Sequence, residues 1–289
     1  MDAAYYKEQL QAKEGMLAQT TQFLLESQHA LEEINGELFL ANKDIFDSIN
    51  FASLIQTSLL PDVDILKIFF ADASYKVIQQ IGIGGDTVFI KNTNKGVVFG
   101  LLDSTGHGIP AAMLSISGTL LLKDLMSSME IDSPKALLQL LNYQLHNTFN
   151  SNHSSIAHME GVLCSFSSTE NKLTYSSAKG KALLLHLNGE IEELVSTKKS
   201  IGEEVNAEFE LFEINVVKGD KLLMYSDGLT DQFGGDRNKK YSRDRLKQLI
   251  SKTPAKHASE LVQQIESEFS NWKSNTKQTD DVSFMVIEF

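Results

Sequence analysis

Gly100–Pro110, GLLDSTGHGIP, ends an apolar run that begins at Val97 and stops abruptly at Asp103. Three residues later come Gly106, His107 and Gly108, and Ile109-Pro110 then opens the apolar segment Ala111–Met126. Read locally, this is a buried strand, a tight loop that glycine permits, and a helix with Pro110 in its first turn. That geometry delivers one carboxylate to the tip of a strand beside a helix N-terminus, where backbone N–H groups favour anions. An acid placed there suits a metal ion, and the neighbouring amides suit an anionic group such as phosphate. A helix-capping Asp in an ordinary strand–helix turn has the same local pattern, so the rest of the chain must decide.

Three other segments repeat the logic of Asp103. Gly82–Asp86, GIGGD, turns tightly before an acid. Leu222–Asp231, LLMYSDGLTD, is a buried strand that ends in Asp227-Gly228, with Asp231 four residues on. Thr279–Ser283, TDDVS, places Asp280 and Asp281 at the opening of the last strand. Taken singly, each is an ordinary turn or a solvated pair. Together they offer oxygen-only ligands at strand ends, which suit hard cations such as magnesium or manganese. Zinc fits poorly, because closely spaced Cys/His pairs are missing.

Outward from these acids, Ile68–Phe70, Tyr75–Gln80, Thr87–Lys91 and Gly96–Leu102 read as strands, and 109–127 and 133–150 as helices. Ser133-Pro134 marks the start of the second helix. A meander follows: Gly161–Ser167, Leu173–Ala178, Ala182–Leu187, Glu190–Val195, Glu208–Val217 and Lys221–Tyr225. Its turns carry hairpin residues at Glu170-Asn171, Asn188-Gly189 and Lys218-Gly219-Asp220. Helices over 242–251 and 255–273 precede a final strand, Val282–Phe289. Hairpin-linked strands around helix pairs predict an α+β layered fold with antiparallel sheets.

Residues 1–60 have a different texture: no proline, two glycines (Gly15 and Gly36), and nine acids against three bases, half of the net charge of −12. Leu10, Leu17, Leu24, Leu31, Leu38 and Ile45 recur every seven residues, which predicts a long helix with a coiled-coil seam. Polar companions at Thr21, Gln28, Asn35 and Asn42 fix register at a cost in stability, so the seam reads as a marginal dimer. The alternative is that the leucines pack on the chain's own body. The expected division is therefore a dimerising or signal-input helix over 1–60 and a globular domain over 61–289.

Composition narrows the function. The acidic balance argues against general nucleic-acid binding. The single cysteine, Cys164, excludes an intramolecular disulfide, fits a reducing, cytoplasmic setting, and reads as a small buried hydrophobe. No uninterrupted apolar run suggests a membrane span, and the N-terminus lacks a signal-peptide pattern. Walker A, the dinucleotide fingerprint and the GxSxG elbow are all absent.

IQTSLLP, IGGD, LLDSTGHGIPAAM, YSDGLTDQFGG and TDDVS, in this order over about residues 45–289, resemble the metal-dependent protein phosphatases (PPM, type 2C), in particular their bacterial SpoIIE/RsbU-like branch. The resemblance implies a four-layer α-β-β-α sandwich of two antiparallel sheets flanked by helices. It implies two divalent cations, Mn2+ or Mg2+, with Asp103 bridging them and the Ser104 carbonyl as a further ligand. Asp227 and Asp280 would complete one site and Asp86 the other, with Asp231 and Asp281 as secondary candidates. Paired cations about 3.5–4 Å apart make hydroxide available near neutral pH for in-line attack on phosphoserine or phosphothreonine. His107 either protonates the leaving group or simply closes its loop. The implied substrate is a phosphorylated STAS-type regulator of a partner-switching pathway, with input from a sensor through the N-terminal helix.

Two departures stand out: Thr87 follows GGD where an aromatic is common, and Ser177–Lys181, SAKGK, replaces an Ala-Gly-His-Asn segment. A basic surplus over 237–256 (Arg237, Lys239, Lys240, Arg243, Arg245, Lys247, Lys252, Lys256) reads either as a docking flap for a phosphoprotein or as a solvated helix face. Of these, Arg237, Lys239, Lys240 and Arg243 lie nearest the DGLTD acids and are the docking candidates. A catalytically weak or inactive dimeric scaffold with the same fold is the competing function.

Overall fold

A strand with no polar alternation must be covered on both faces. Gly96–Ser104 is covered in this way: Val97, Phe99 and Leu101 enter one core, while Val98 and Leu102 enter another. The structure is a computed structural model that describes residues 3–289 apart from 130, 151–156, 171 and 253–256. Its elements are α1 (Ala3–Leu59), β1 (Asp72–Ile78), β2 (Thr87–Thr93), β3 (Gly96–Ser104), α2 (Ile109–Met129), α3 (Pro134–Leu145), β4 (Met159–Ser167), β5 (Lys172–Ala178) and β6 (Lys181–Leu185). There follow β7 (Ile191–Glu193), β8 (Phe212–Ile214), β9 (Lys221–Tyr225), α4 (Asp227–Asp231), β10 (Phe233–Gly234), β11 (Lys239–Lys240), α5 (Arg243–Lys252), α6 (Ala258–Lys273) and β12 (Val282–Glu288).

Two five-stranded sheets form, ordered β1-β12-β9-β6-β7 and β2-β3-β4-β5-β8, and every strand pair in them is antiparallel. Their facing sides bury Val88, Phe99, Leu101, Val162, Met224 and Met285. On the far side of the second sheet, α2 and α3 contribute Leu114, Leu122, Leu137 and Leu141 against Phe89, Val98 and Leu102. On the far side of the first, α5 and α6 place Leu246, Leu261, Ile265 and Phe269 against Leu223, Phe284 and Val286. This is the expected α-β-β-α layering. Burial on both faces of each inner sheet is why its strands read as unbroken apolar runs.

The chain divides into two compact units, Met1–Phe51 and Ala52–Phe289, so the division falls inside α1. In the first unit, Leu10, Leu17, Leu24, Leu31, Leu38 and Ile45 are each more than half exposed. α2 is long and apolar enough by composition to cross a membrane, although its apolar stretch is interrupted by polar residues. Half of it is buried in the layered core, as expected of an inner helix.

Some local expectations need correction. Ile68–Phe70 is not a strand: a 3-10 turn runs over Val63–Ile68, with the Asp62 carboxylate accepting from the Asp64 N–H at 3.0 Å. Leu66 and Phe70, four apart, both enter the inter-sheet core, a helical spacing that three adjacent apolar residues disguise. The helix expected over 133–150 ends at Leu145 and unwinds into a π turn over His146–Asn150. There the Asn150 amide donates to the Ala157 and Gly202 carbonyls, both at 2.8 Å. Of Glu208–Val217 only Phe212–Ile214 pairs, with β5. The turn at Glu170-Asn171 lies partly outside the described residues.

Candidate metal centre

Antiparallel register brings the acid-bearing ends to one edge of the sandwich. β12 pairs with β9 so that Phe284 faces Tyr225, which sets Asp280 and Asp281 beside Ser226-Asp227. The GIGGD loop meets β3 through the Ser104 N–H, which donates to the Gly85 carbonyl at 3.2 Å. Asp103 thus feels the charges of Asp86, Asp227 and Asp280, and burial together with these three holds its carboxyl well above the usual range.

Asp86 is the most enclosed of the four. Burial pushes its pKa from 3.8 up to about 7, the Asp281 charge adds to this, and the Ser226 hydroxyl, donating to Oδ2 at 2.7 Å, opposes it. Its Oδ1 is buried without a hydrogen-bond partner. A buried carboxylate oxygen left unpaired is costly unless a proton or a cation completes it. Asp280 is also raised, first by burial and then by Asp227 and Asp281, while the Asp281 N–H donates to its Oδ1 at 2.8 Å. Asp227 opens α4 and lies 3.5 Å from the Lys181 ammonium.

The other candidates occupy different positions. Asp281 is buried and ties the loop down, accepting the Gln80 and Gly85 N–H groups at 2.7 Å each. Asp231 pairs with Lys240 at 2.8 Å. His107 is exposed at its loop, within electrostatic reach of Asp280 and Asp281. The Ser104 hydroxyl is buried without a partner, and its carbonyl lies against Gly85. Of the basic segment, Lys240 and Arg243 line a groove next to the acids; Arg237 and Lys239 are exposed and do not line it. Arg245 stacks over Trp272 at 4.1 Å and bonds Glu268, and Lys247 pairs with Glu193 at 2.5 Å, so these two serve the fold. Lys256 lies outside the described residues.

Two contributors escaped the sequence reading. Gln56, near the end of α1, is buried against the GIGGD loop. Its amide nitrogen donates to the Gly84 carbonyl at 2.6 Å and its oxygen accepts the Gly84 N–H at 3.2 Å. The β5–β6 hairpin carries Lys179 and Lys181 to the crevice that Asp103 and Asp227 line. Only the cross-strand register, which pairs Lys181 with Tyr225, reveals the second.

Among the described residues, the one His/Asp/Glu trio whose ligand atoms all lie within 4.8 Å of one another is Asp72, His257 and Glu288. It has a structural role: Asp72 accepts the Ser259 N–H at 2.8 Å and Glu288 the Ala258 N–H at 3.1 Å, capping α6. The four site carboxylates repel one another, Asp86 and Asp103 most directly, since their side chains meet. Oxygen donors alone, mutual repulsion and the orphaned Asp86 oxygen together fit hard divalent cations. Asp86, Asp103, Asp227 and Asp280 would hold them.

Close backbone approach holds this edge together. A Cβ on Gly85 would sit 2.5 Å from the Ser104 carbonyl oxygen. Gly85→Ala is therefore expected to cost about 1–3 kcal/mol in urea unfolding. It should also weaken manganese binding, because Asp86 and Ser104 are forced apart.

Solved structures share this architecture. The SiaA-PP2C domain of Pseudomonas aeruginosa superposes with a TM-score of 0.77 at 21% identity, covering 86% of this chain and 98% of that one. The PP2C phosphatase domain with a regulatory-domain fragment of SpoIIE from Bacillus subtilis gives 0.62 at 14%, covering 75% and 63%. RsbX in complex with magnesium gives 0.54 at 16%, covering 75% and 94%. At such identities the likeness is one of fold, and the fold is that of the PP2C-type phosphatase domains. A search of curated proteins finds no match. The model of the family described as Stage II sporulation protein E (SpoIIE) matches residues 93–289, and the chain belongs to that family.

Proposed function

We propose that the chain is a Mg2+- or Mn2+-dependent protein serine/threonine phosphatase. The observation that carries this reading is the convergence of Asp86, Asp103, Asp227 and Asp280 from four separate segments onto one edge, with a buried Asp86 oxygen lacking any partner. When bound, the cations would lower the pKa of water and neutralise phosphoryl charge. The chain's own residues do the rest. The Ser226 hydroxyl and the Asp281 carboxylate hold Asp86 and its loop in place. His107, exposed beside the acids, gives a proton to the departing seryl or threonyl oxygen as the P–O bond breaks. Lys240 and Arg243 dock the phosphoprotein, with Arg237 and Lys239 on the same flap.

The test is phosphate release from a phosphoserine peptide with manganese, and with chelator. Manganese-dependent release is expected; none under any divalent cation would favour the inactive scaffold. The substrate on this reading is a phosphorylated STAS-type regulator, and a cytoplasmic setting goes with it. Family membership and the partner-switching proteins among the structural neighbours support that reading.

The reading includes a homodimer through α1 and control from an upstream sensor. The exposed leucine seam supports the first. Gln56 supports the second, because any shift in the last turns of α1 moves the Gly84 peptide that it grips on both sides. Leu24→Lys with Leu31→Lys should convert the chain to monomer in analytical ultracentrifugation, since burying two ammonium groups in a seam is prohibitive. A wild type that is already monomeric at working concentration would remove this part of the reading.

A further inference from the structure

We infer that the Lys179–Lys181 hairpin and the groove beside it form the substrate's seat: Lys181 takes the phosphoryl group of a phosphoserine, and the groove takes an acidic polypeptide segment flanking it. The inference rests on the phosphatase reading and adds to it the chemistry of the substrate. Lys181 and Lys179 line the crevice that contains Asp103 and Asp227, and both also line an adjoining groove of about 630 Å3. The hairpin is therefore the shared wall between the acid centre and the groove, where a phosphorylated residue would pass from one to the other.

Position and rigidity support this. Lys181 starts β6 opposite Tyr225, two residues from Asp227, and its ammonium lies 3.5 Å from the Asp227 Oδ2 with about a third of the side chain exposed. An exposed pair of this kind is weakly held, and a phosphoryl dianion competes well for the cation. Lys179 adopts φ 53, the left-handed region that costs a non-glycine residue about 1–2 kcal/mol, and its N–H is fixed to the Thr197 carbonyl at 2.8 Å. At Gly180 a Cβ would run into the Gly161 carbonyl, so the hairpin packs closely on β4. Strain held in this way commonly marks a functional position.

Charge selects the occupant. The groove is lined by Lys179, Lys181, Lys240 and Arg243, each held in a partly exposed ion pair: Lys179 with Glu160 and Glu203, Lys181 with Asp227, Lys240 with Asp231 and Arg243 with Glu193. Pairs of this kind are weakly held, so an acidic segment can exchange for the chain's own carboxylates, while a basic segment meets four cations already in place.

The test uses peptides in which a non-hydrolysable phosphonate isostere replaces phosphoserine, flanked by glutamates or by lysines, titrated calorimetrically into the full chain with manganese. The wild type is expected to prefer the glutamate-flanked peptide. Lys181→Met should weaken its binding about tenfold or more, the scale of one charge-assisted bond, and Lys181→Arg should restore most of it. Lys240→Ala with Arg243→Ala should remove the preference for glutamate flanks. If Lys181→Met binds the phosphonate as wild type does, or flanking charge makes no difference, the inference is overturned. Manganese affinity is titrated alongside: a variant that changes only that affinity shows Lys181 to be a mere counter-ion for Asp227. Turnover of the true phosphoserine peptide is read separately. Binding without phosphate release therefore overturns the phosphatase reading and leaves the seat intact.

Discussion

Asp103→Asn should lower manganese-dependent phosphate release by at least about 10^3-fold, the kinetic equivalent of roughly 4 kcal/mol. The size follows from position. Asp103 is the acid on which the charges of Asp86, Asp227 and Asp280 all act, so a neutral amide there removes the centre of the proposed cation cradle. The stability effect has the opposite sign. In chelator the variant should be at least as resistant to urea as the wild type, because a buried acid that must either ionise among other carboxylates or take up a proton is gone. Its thermal shift on adding manganese should shrink. Loss of activity with a lower chelated stability would indicate a folding defect instead, and activity within tenfold of wild type would refute the assignment of Asp103.

A second large effect concerns pH. Burial lifts Asp86 from 3.8 to about 7, and Asp103, Asp280 and Asp281 are raised as well. With cations removed, the folded protein holds protons that the unfolded chain has already released across this window. Stability must then fall as pH rises from about 4 to about 7, by on the order of 4 kcal/mol for Asp86 alone. Asp72 works the other way. Burial opposes its ionisation, the Ser259 bonds outweigh that, and its carboxyl ends below 3.8. Its contribution is complete above the ordinary carboxylate range and is lost as pH falls through its lowered value. Chelated protein should therefore be most stable near the top of the ordinary carboxylate range. Manganese should raise the melting temperature more at pH 8 than at pH 5, since it competes with fewer protons. A melting profile that is flat between pH 4 and 8 in chelator would count against a shared acid centre.

The strand–loop–helix at 96–129 was readable because β3 is covered on both faces and interrupted by an acid, a pattern that local sequence carries in full. The acids themselves were readable because neither helical nor strand periodicity accounts for carboxylates at strand ends. The residues around them were harder to find. Lys181 stands next to Asp227 through a pairing between strands about forty residues apart, and nothing in SAKGK encodes that register. Gln56 reaches Gly84 from a helix whose own pattern advertises only its leucines. Asp231 shares the helical spacing of Asp227 yet pairs with Lys240, from a two-residue strand too short to leave a signal. The strand reading of Ile68–Phe70 fails for a related reason: in so short an apolar stretch, periods of two and of three to four are indistinguishable.

β12, the last strand in chain order, sits between β1, the first, and β9. The sheet therefore closes only when residues some two hundred positions apart meet, a contact that topology makes slow to form. Asp280, immediately ahead of that strand, arrives with it. Until closure, β1 and β9 present open apolar edges, which invite pairing with other chains. The assembly that completes the acid cluster is thus also the one that protects the molecule from aggregation, and a finished site and colloidal safety are acquired in a single folding event.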